Sequence, residues 1–141
     1  MIANDRQYQQ TRKKASELEH LLVSLHAGTA GDEGFRDLQI AGVESQLGDL
    51  VEELDEYDEL SGGATTMIES STLAGLADAL IKARIARRWT QADLAAALGV
   101  AEQQIQRYES SRYSGASLAR LCDIADALDV TVQETVTLRA S

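Results

Sequence analysis

The sequence contains no proline, a single cysteine and few aromatic residues. A chain poor in helix breakers and in strand-favouring aromatics is expected to be helical rather than a sandwich or barrel. One cysteine cannot form an internal disulfide or a cysteine-based zinc site, which fits a reducing cytoplasm. No stretch approaches the about 20 apolar residues that cross a bilayer, and residues 1–6 lead into no apolar signal segment. We therefore expect a helical cytoplasmic protein with no membrane association.

The sequence also lacks the motifs of common enzyme classes. It has no glycine-rich phosphate loop, no His-Glu metalloprotease motif and no Ser/His/Asp set at a workable spacing. His20 and His26 stand alone and are expected to be solvated. Cys122 shares the apolar side of a predicted helix with Leu118 and Leu121, so we expect a buried, unreactive thiol. The prediction is a protein that is not an enzyme and that uses no metal or cofactor.

The net charge of −10 is distributed unevenly along the chain. Residues 73–141 carry eight basic and eight acidic side chains, whereas residues 1–72 carry five basic and fifteen acidic ones. A neutral domain can still bind nucleic acid when its cations cluster on one face. The acidic half is expected to face water or a basic protein partner.

Two apolar stripes predict a pair of helices within residues 1–60. In residues 4–25, Tyr8, Ala15 and Leu22 recur every seven residues. In residues 35–60, positions spaced by three and four residues repeat in the same way: Val43, Leu47, Leu50, Leu54 and Tyr57. With a loop at residues 27–32, the pattern predicts an antiparallel helical hairpin or a coiled-coil arm. The stripes are either ordinary hairpin core or a seam for dimerisation or partner binding, and periodicity alone does not choose.

An acidic run lies near the end of the second predicted helix. It is either a solvated face or a docking surface for a basic partner. The candidate partner-binding residues are Glu52, Glu53, Asp55, Glu56, Asp58 and Glu59.

Residues 61–72 are rich in glycine, serine and threonine and form the clearest linker. In the second predicted domain, residues 73–141, the pattern indicates four short helices, at residues 73–88, 90–98, 102–110 and 117–128. Beyond them the apolar residues Val130, Val132, Val136 and Leu138 alternate with polar ones, interrupted only by Glu134. This alternation of β-branched residues is typical of a short C-terminal β-strand. The predicted fold class is therefore mostly α.

The segment from residue 90 to residue 109 has the signals of two short helices joined by a tight turn. Thr90 can cap the first helix, with Asp93 at the capping-box position. Gly99 suits the left-handed residue that ends a helix. In the second helix Ile105 and Tyr108 are expected to face the core, which leaves a polar outer face. Two helices arranged in this way form the shape that enters a DNA major groove.

At these residues the chain resembles a known family. Residues 73–130 resemble the Xre or Cro/CI-type helix-turn-helix family, and the resemblance depends on Thr90-Gln91, Leu94-Ala95, Leu98-Gly99-Val100, Ile105 and Tyr108-Glu109. It implies a regulator that binds double-stranded DNA. An acidic helical hairpin before such a domain is similar in arrangement to HigA-like antitoxins of toxin–antitoxin pairs.

The resemblance also implies roles for individual residues. Glu102, Gln103 and Arg107 match base-facing positions of the recognition helix, and Gln106 adds further readout chemistry. Gln91, Arg112 and Tyr113 match positions that contact the DNA backbone, with Arg87 and Arg88 available for further phosphates. Arg84 and Glu109 match a pair that braces the first helix against the recognition helix. Ala101 departs from the family, because it replaces the usual Ser or Thr cap.

The leading hypothesis is a homodimeric repressor of a palindromic operator, acting as an autoregulating antitoxin that also binds a basic toxin. The alternatives are a stand-alone or phage-type repressor, and a protein-interaction adaptor with a vestigial motif. The dimer interface is either the hairpin seam or the predicted strand at residues 130–138. We favour the strand, because it adjoins the DNA-binding domain and a lone strand leaves its backbone groups unpaired.

Overall fold

The computed structural model describes residues 1–28 and 31–140, and it confirms the predicted mostly α fold class. Thr29 and Ala30 of the predicted loop lie outside the described residues, as does Ser141 at the end of the tail. The chain divides into two compact units, Met1–Thr65 and Thr66–Ser141. The division falls within residues 62–74, where no helix is present. No described helix is long and apolar enough to cross a membrane.

The first unit is an antiparallel pair of long helices, α1 (Asp5–Ala27) and α2 (Glu33–Ser61). Asn4 caps α1 by accepting a hydrogen bond from the Gln7 backbone N–H at 2.9 Å. Tyr8 and Tyr57 stack across the pair with ring centroids 5.1 Å apart. The Tyr8 hydroxyl donates to Asp58 Oδ2 at 3.1 Å, and this hydrogen bond raises the pKa of Tyr8. The predicted helical hairpin is therefore present.

The predicted stripes of the hairpin are only partly buried. Ala15 of α1 is buried, whereas the other stripe residues, such as Leu22 and Leu47, are half-buried; the buried residue of α2 is Leu60, one turn beyond the predicted stripe. Two packed helices leave an open side, because each can cover only one stripe of its partner. The half-buried stripe residues therefore border this open side of the hairpin.

The second unit packs four short helices around one apolar core. They are α3 (Gly75–Ala86), α4 (Gln91–Leu98), α5 (Glu102–Ser110) and α6 (Leu118–Ala127). Each helix supplies at least one fully buried aliphatic side chain to this core, the largest being Leu80, Ile81, Leu94, Ile105 and Ile124, with Leu128 directly after α6. Burying a side chain of this size contributes about 1.5–3 kcal/mol. The core therefore fixes α5 by its inner face.

The prediction of a buried Cys122 is wrong, because the thiol is exposed. The residues that α6 buries are Ile124 and, one turn later, Leu128. Cys122 lies two positions before Ile124, which places it on the other side of a 3.6-residue helix. Leu118, predicted on the same apolar side, is also exposed.

The predicted C-terminal strand is absent from the described tail, residues 130–140, where the chain forms neither helix nor strand. The sequence alternation is present, but Val136 and Leu138 are 89% and 90% exposed. A strand requires a neighbour to accept its backbone hydrogen bonds. No described segment of the same chain forms a strand with the tail, so the alternating pattern is unpaired within the described residues.

Candidate nucleic-acid interface

The first helix of the motif, α4, begins and ends as its sequence predicts. Thr90 Oγ1 accepts from the Asp93 backbone N–H at 3.1 Å, and the Asp93 carboxylate accepts from the Thr90 backbone N–H at 2.8 Å. Hydrogen bonds from Thr90 lower the pKa of Asp93. Gly99 ends the helix with φ of 68°, a left-handed conformation that costs glycine little. These local signals set the position from which α5 starts.

The second helix of the motif, α5, presents a polar face to solvent. Ile105 anchors its inner side and is fully buried, whereas the candidate base-contacting residues are all exposed, namely Glu102, Gln103, Gln106 and Arg107. Ala101 provides no side-chain cap at the start of the helix. The outer face therefore combines amide, carboxylate and guanidinium groups, which are the groups that hydrogen-bond to base edges.

The four polar residues of this face differ in their partners. The Gln106 side chain donates to Glu102 Oε1 at 3.2 Å, one turn away. Gln104, which the sequence analysis did not select, is also exposed and donates to the Tyr108 hydroxyl at 3.0 Å. Within the described residues, the side chains of Gln103 and Arg107 hydrogen-bond to no protein group. They are therefore the two groups of this face that can turn to a ligand without breaking a contact.

A buried ion pair holds the far end of α5. Arg84 Nε donates to Glu109 Oε1 at 2.6 Å, and a second guanidinium nitrogen donates to Oε2 at 2.8 Å. The third nitrogen donates to the Trp89 carbonyl oxygen at 2.7 Å. Arg84 is 2% exposed and Glu109 4%. A planar guanidinium matches a carboxylate in this two-bond geometry, which a lysine cannot reproduce. The pair ties α3, the turn before α4 and α5 together.

The position of Gln91 differs from the predicted phosphate contact. Its side chain is only 7% exposed and donates to Glu109 Oε2 at 2.8 Å. The buried carboxylate needs this further donor, because its charge is removed from water. The Gln91 side chain is therefore part of the brace behind α5 and does not lie at the surface.

The candidate phosphate-contacting arginines lie in two places. Arg87 donates to the Leu128 and Asp129 carbonyl oxygens at 3.0 and 2.8 Å, so it closes the end of α6. Arg88 is exposed beside it. Arg112 is also exposed, in the loop after α5, and forms an ion pair with Asp78 of α3 at 3.1 Å. Asp78 was not selected from the sequence, since its role depends on α3 and the loop lying close together.

The prediction that Tyr113 contacts the DNA backbone does not agree with its position, because it is 5% exposed. Its ring stacks on Tyr108 with centroids 5.7 Å apart. Arg112 and Tyr113 have φ values of 51° and 57°, and these two left-handed residues turn the Tyr113 ring toward the core. Burial raises the pKa of Tyr113. Among the described residues its hydroxyl has no hydrogen-bond partner.

Tyr113→Phe should raise the free energy of unfolding by about 1 kcal/mol, because a buried hydroxyl without a partner costs desolvation and returns nothing. The phenyl ring keeps the contact with Tyr108. Urea unfolding measures the change, and gel-shift affinity for DNA should stay as in the wild type. A variant with unchanged stability and weaker DNA binding would instead place Tyr113 on the DNA.

Comparison with known proteins agrees with this geometry. Residues 80–134 match the helix-turn-helix family model, a segment that begins within α3 and ends in the tail after α6. No curated protein and no solved structure matches the chain. The match contains both motif helices, the buried pair and every candidate DNA-contacting residue. Residues 80–134 of the second unit are therefore similar to helix-turn-helix domains of the Cro/CI type, and this similarity supports a DNA-binding regulator.

Proposed function

We propose that the protein is a sequence-specific transcriptional repressor that reads its operator in the major groove through α5. The observation that carries this proposal is the exposed polar face of α5, where the side chains of Gln103 and Arg107 hydrogen-bond to no described protein group. The opposite side of the helix is held by the buried Ile105 and by the Arg84–Glu109 pair. A recognition helix must be held rigidly if its side chains are to distinguish bases. The family match supports the same role.

Each exposed side chain of α5 fits a particular base edge. Arg107 can donate two hydrogen bonds to the O6 and N7 atoms of guanine, and Gln103 can bond the N6 and N7 atoms of adenine. Glu102 can accept from the N4 amino group of cytosine, which offsets its repulsion by phosphates. Positions read by these three residues are proposed to carry most of the sequence preference.

The surrounding arginines are proposed to hold the DNA backbone. Arg88 and Arg112 are exposed at the ends of loops that flank the motif helices, and Arg87 is half-exposed while it closes α6. Contacts of this kind fix the register of the protein on the duplex and carry little sequence information. To contact a phosphate, the exposed Arg112 side chain must exchange its ion pair with the half-buried Asp78 for the phosphate.

Arg107→Ala should weaken operator binding by about 1–3 kcal/mol and relax the preference at one base pair, because a two-bond contact with guanine is lost. Arg107→Lys keeps the charge but not the planar fork, so it should recover the non-specific affinity and leave the preference relaxed. Fluorescence anisotropy with a set of operators that differ at single base pairs measures both quantities.

Arg112→Ala provides the contrasting variant. Loss of a phosphate contact should weaken binding to all DNA sequences alike and make the affinity less dependent on salt concentration. If Arg107→Ala left both the affinity and the base preference intact, α5 would not be the recognition helix. If the wild-type protein bound no DNA sequence at all, the adaptor hypothesis would replace the repressor hypothesis.

The repressor is proposed to act in the cytoplasm as a homodimer on a palindromic operator. One domain of this size covers a single half-site, whereas two-fold symmetric dimers read half-sites about 34–36 Å apart. Operator symmetry, read from a footprint, tests this part of the proposal.

A second candidate function, that of an antitoxin, is favoured by the acidic surface of α2. Glu52, Asp55 and Glu59 are exposed and spaced by three and four residues, which places them on one face of the helix. Glu53 lies 3.5 Å from the N-terminal amine, Asp58 accepts from Tyr8, and Glu56 is half-buried, so these carboxylates also serve the hairpin. The surface would fit a basic toxin. Co-purification with a basic protein encoded beside this chain, lost when the three exposed carboxylates become glutamines, would favour the antitoxin.

A further inference from the structure

The tail after α6 leaves its backbone without partners. Residues 131–140 are all exposed, and none of their backbone N–H or C=O groups hydrogen-bonds to another described residue. Unpaired backbone in an extended, β-branched segment is a template for pairing with another strand. The tail therefore presents backbone groups that a second strand can pair with, and the described residues of the single chain supply no such strand.

The start of the tail is held in a defined place. The Val130 backbone N–H donates to the Ala125 carbonyl oxygen at 2.9 Å, and Asp129 turns the chain out of α6 with φ of 53°. Arg87, directly after α3, donates to the carbonyl oxygens just before the tail. Because its base is anchored to two helices of the domain, a paired tail would set the distance between two copies of α5.

The sequence of the tail is complementary to itself about Glu134. In an antiparallel pair centred there, Val132 lies opposite the partner's Val136, and Val130 opposite the partner's Leu138, all on one face. On the other face the pairs are Thr131 with Thr137 and Gln133 with Thr135. Sliding one strand by one residue sets apolar against polar side chains. Sliding it by two sets Glu134 against a valine.

We propose that the tail pairs in antiparallel fashion with the tail of a second copy of this chain, with the two Glu134 side chains opposite one another at the two-fold axis. This inference rests on the proposed homodimeric repressor and identifies its interface. Like charges directly opposite in a strand pair are destabilising, and two strands alone are marginally stable. The apolar pairs Val132–Val136 and Val130–Leu138 therefore fix the register, whereas the two opposed Glu134 side chains keep the dimer weak when DNA is absent.

Glu134→Thr tests the register in the full chain. The change removes the repulsion at the axis and adds a β-branched pair, so the dissociation constant of the dimer should fall about fivefold at low salt. Sedimentation velocity without DNA measures it. Glu69→Thr, which removes the same charge from an exposed non-helical segment, is the matched control and should leave the constant unchanged. Added salt should tighten the wild-type dimer and leave the Glu134→Thr dimer unaffected.

A second pair of variants tests whether the apolar face of the tail forms the contact between the two copies. Val136→Asp should abolish self-association, whereas Thr135→Asp, the same introduction of charge on the opposite face, should largely preserve it. The inference is overturned if the wild type and Glu134→Thr both remain monomeric, if Glu134→Thr behaves like Glu69→Thr, or if Val136→Asp still dimerises. The last outcome would move the interface to the hairpin. A chain that dimerises in this way but shifts no DNA would contradict the proposed function and leave this inference intact.

Discussion

Glu109→Ala should lower the free energy of unfolding of the second unit by about 3–5 kcal/mol. The substitution removes both carboxylate oxygens that accept from the buried Arg84 guanidinium, and it also removes the Glu109 oxygen that accepts from the Gln91 side chain. An uncompensated charge in a site that water cannot reach is the physical cause. Trp89, the only tryptophan of the chain, lies in the turn before α4 and reports unfolding of this unit by fluorescence.

Glu102→Ala is the matched control for this prediction. It removes a glutamate from the other end of the same helix, where the side chain is exposed, and should change stability by no more than about 0.5 kcal/mol. The double variant Arg84→Met, Glu109→Leu should recover most of the loss, because apolar side chains of similar volume often replace a buried ion pair without penalty. A Glu109→Ala unfolding midpoint equal to that of Glu102→Ala would show that the pair contributes nothing.

Ile105→Ala should cost about 2–5 kcal/mol, because it opens a cavity beneath the recognition helix. Ile105 is fully buried and is the residue by which α5 contacts the core. Ile105→Val removes a single methylene group and should cost only about 0.5–1.5 kcal/mol. Urea unfolding, followed by the Trp89 fluorescence, measures the series.

The same series separates stability from DNA recognition. Ile105→Val should bind the operator with wild-type base preference, since the exposed face is untouched, whereas Ile105→Ala should lose affinity together with structure. Gln104 is the exposed residue directly before Ile105, and Gln104→Ala should leave the free energy of unfolding nearly unchanged. An Ile105→Ala protein as stable as Gln104→Ala would place Ile105 outside the core.

Features with local causes could be predicted from the sequence. In the Asn4 and Thr90 caps, a side-chain oxygen accepts a hydrogen bond from the backbone N–H three residues later. The end of α4 depends on the φ angle of Gly99 alone. The exposure of the α5 face follows from a helical period fixed by Ile105. Such signals operate within a few residues, so no tertiary structure is needed to recognise them.

Features with tertiary causes could not be predicted in the same way. Cys122 lies in a helix with two overlapping apolar stripes, and only packing against the core selects the stripe of Ile124. Tyr113 lies inward because the chain turns through two left-handed residues, which its side-chain chemistry does not indicate. The inward position of the Gln91 side chain depends on its hydrogen bond to the Glu109 carboxylate, which lies 18 positions away in the sequence. For Gln91 and Tyr113 the family resemblance implied contacts with the DNA backbone, whereas the structure buries both side chains.

The buried pair has a consequence for how the protein would be turned over. Arg84 and Glu109 are 25 positions apart, and α5 has nine residues, too few to persist alone in water. The exposed polar face of α5 therefore exists only while the whole domain is folded. Promoter occupancy should then be governed by the same equilibrium that exposes the domain to proteases. A cell that lowers the stability of this domain would release the operator and remove the regulator in one event.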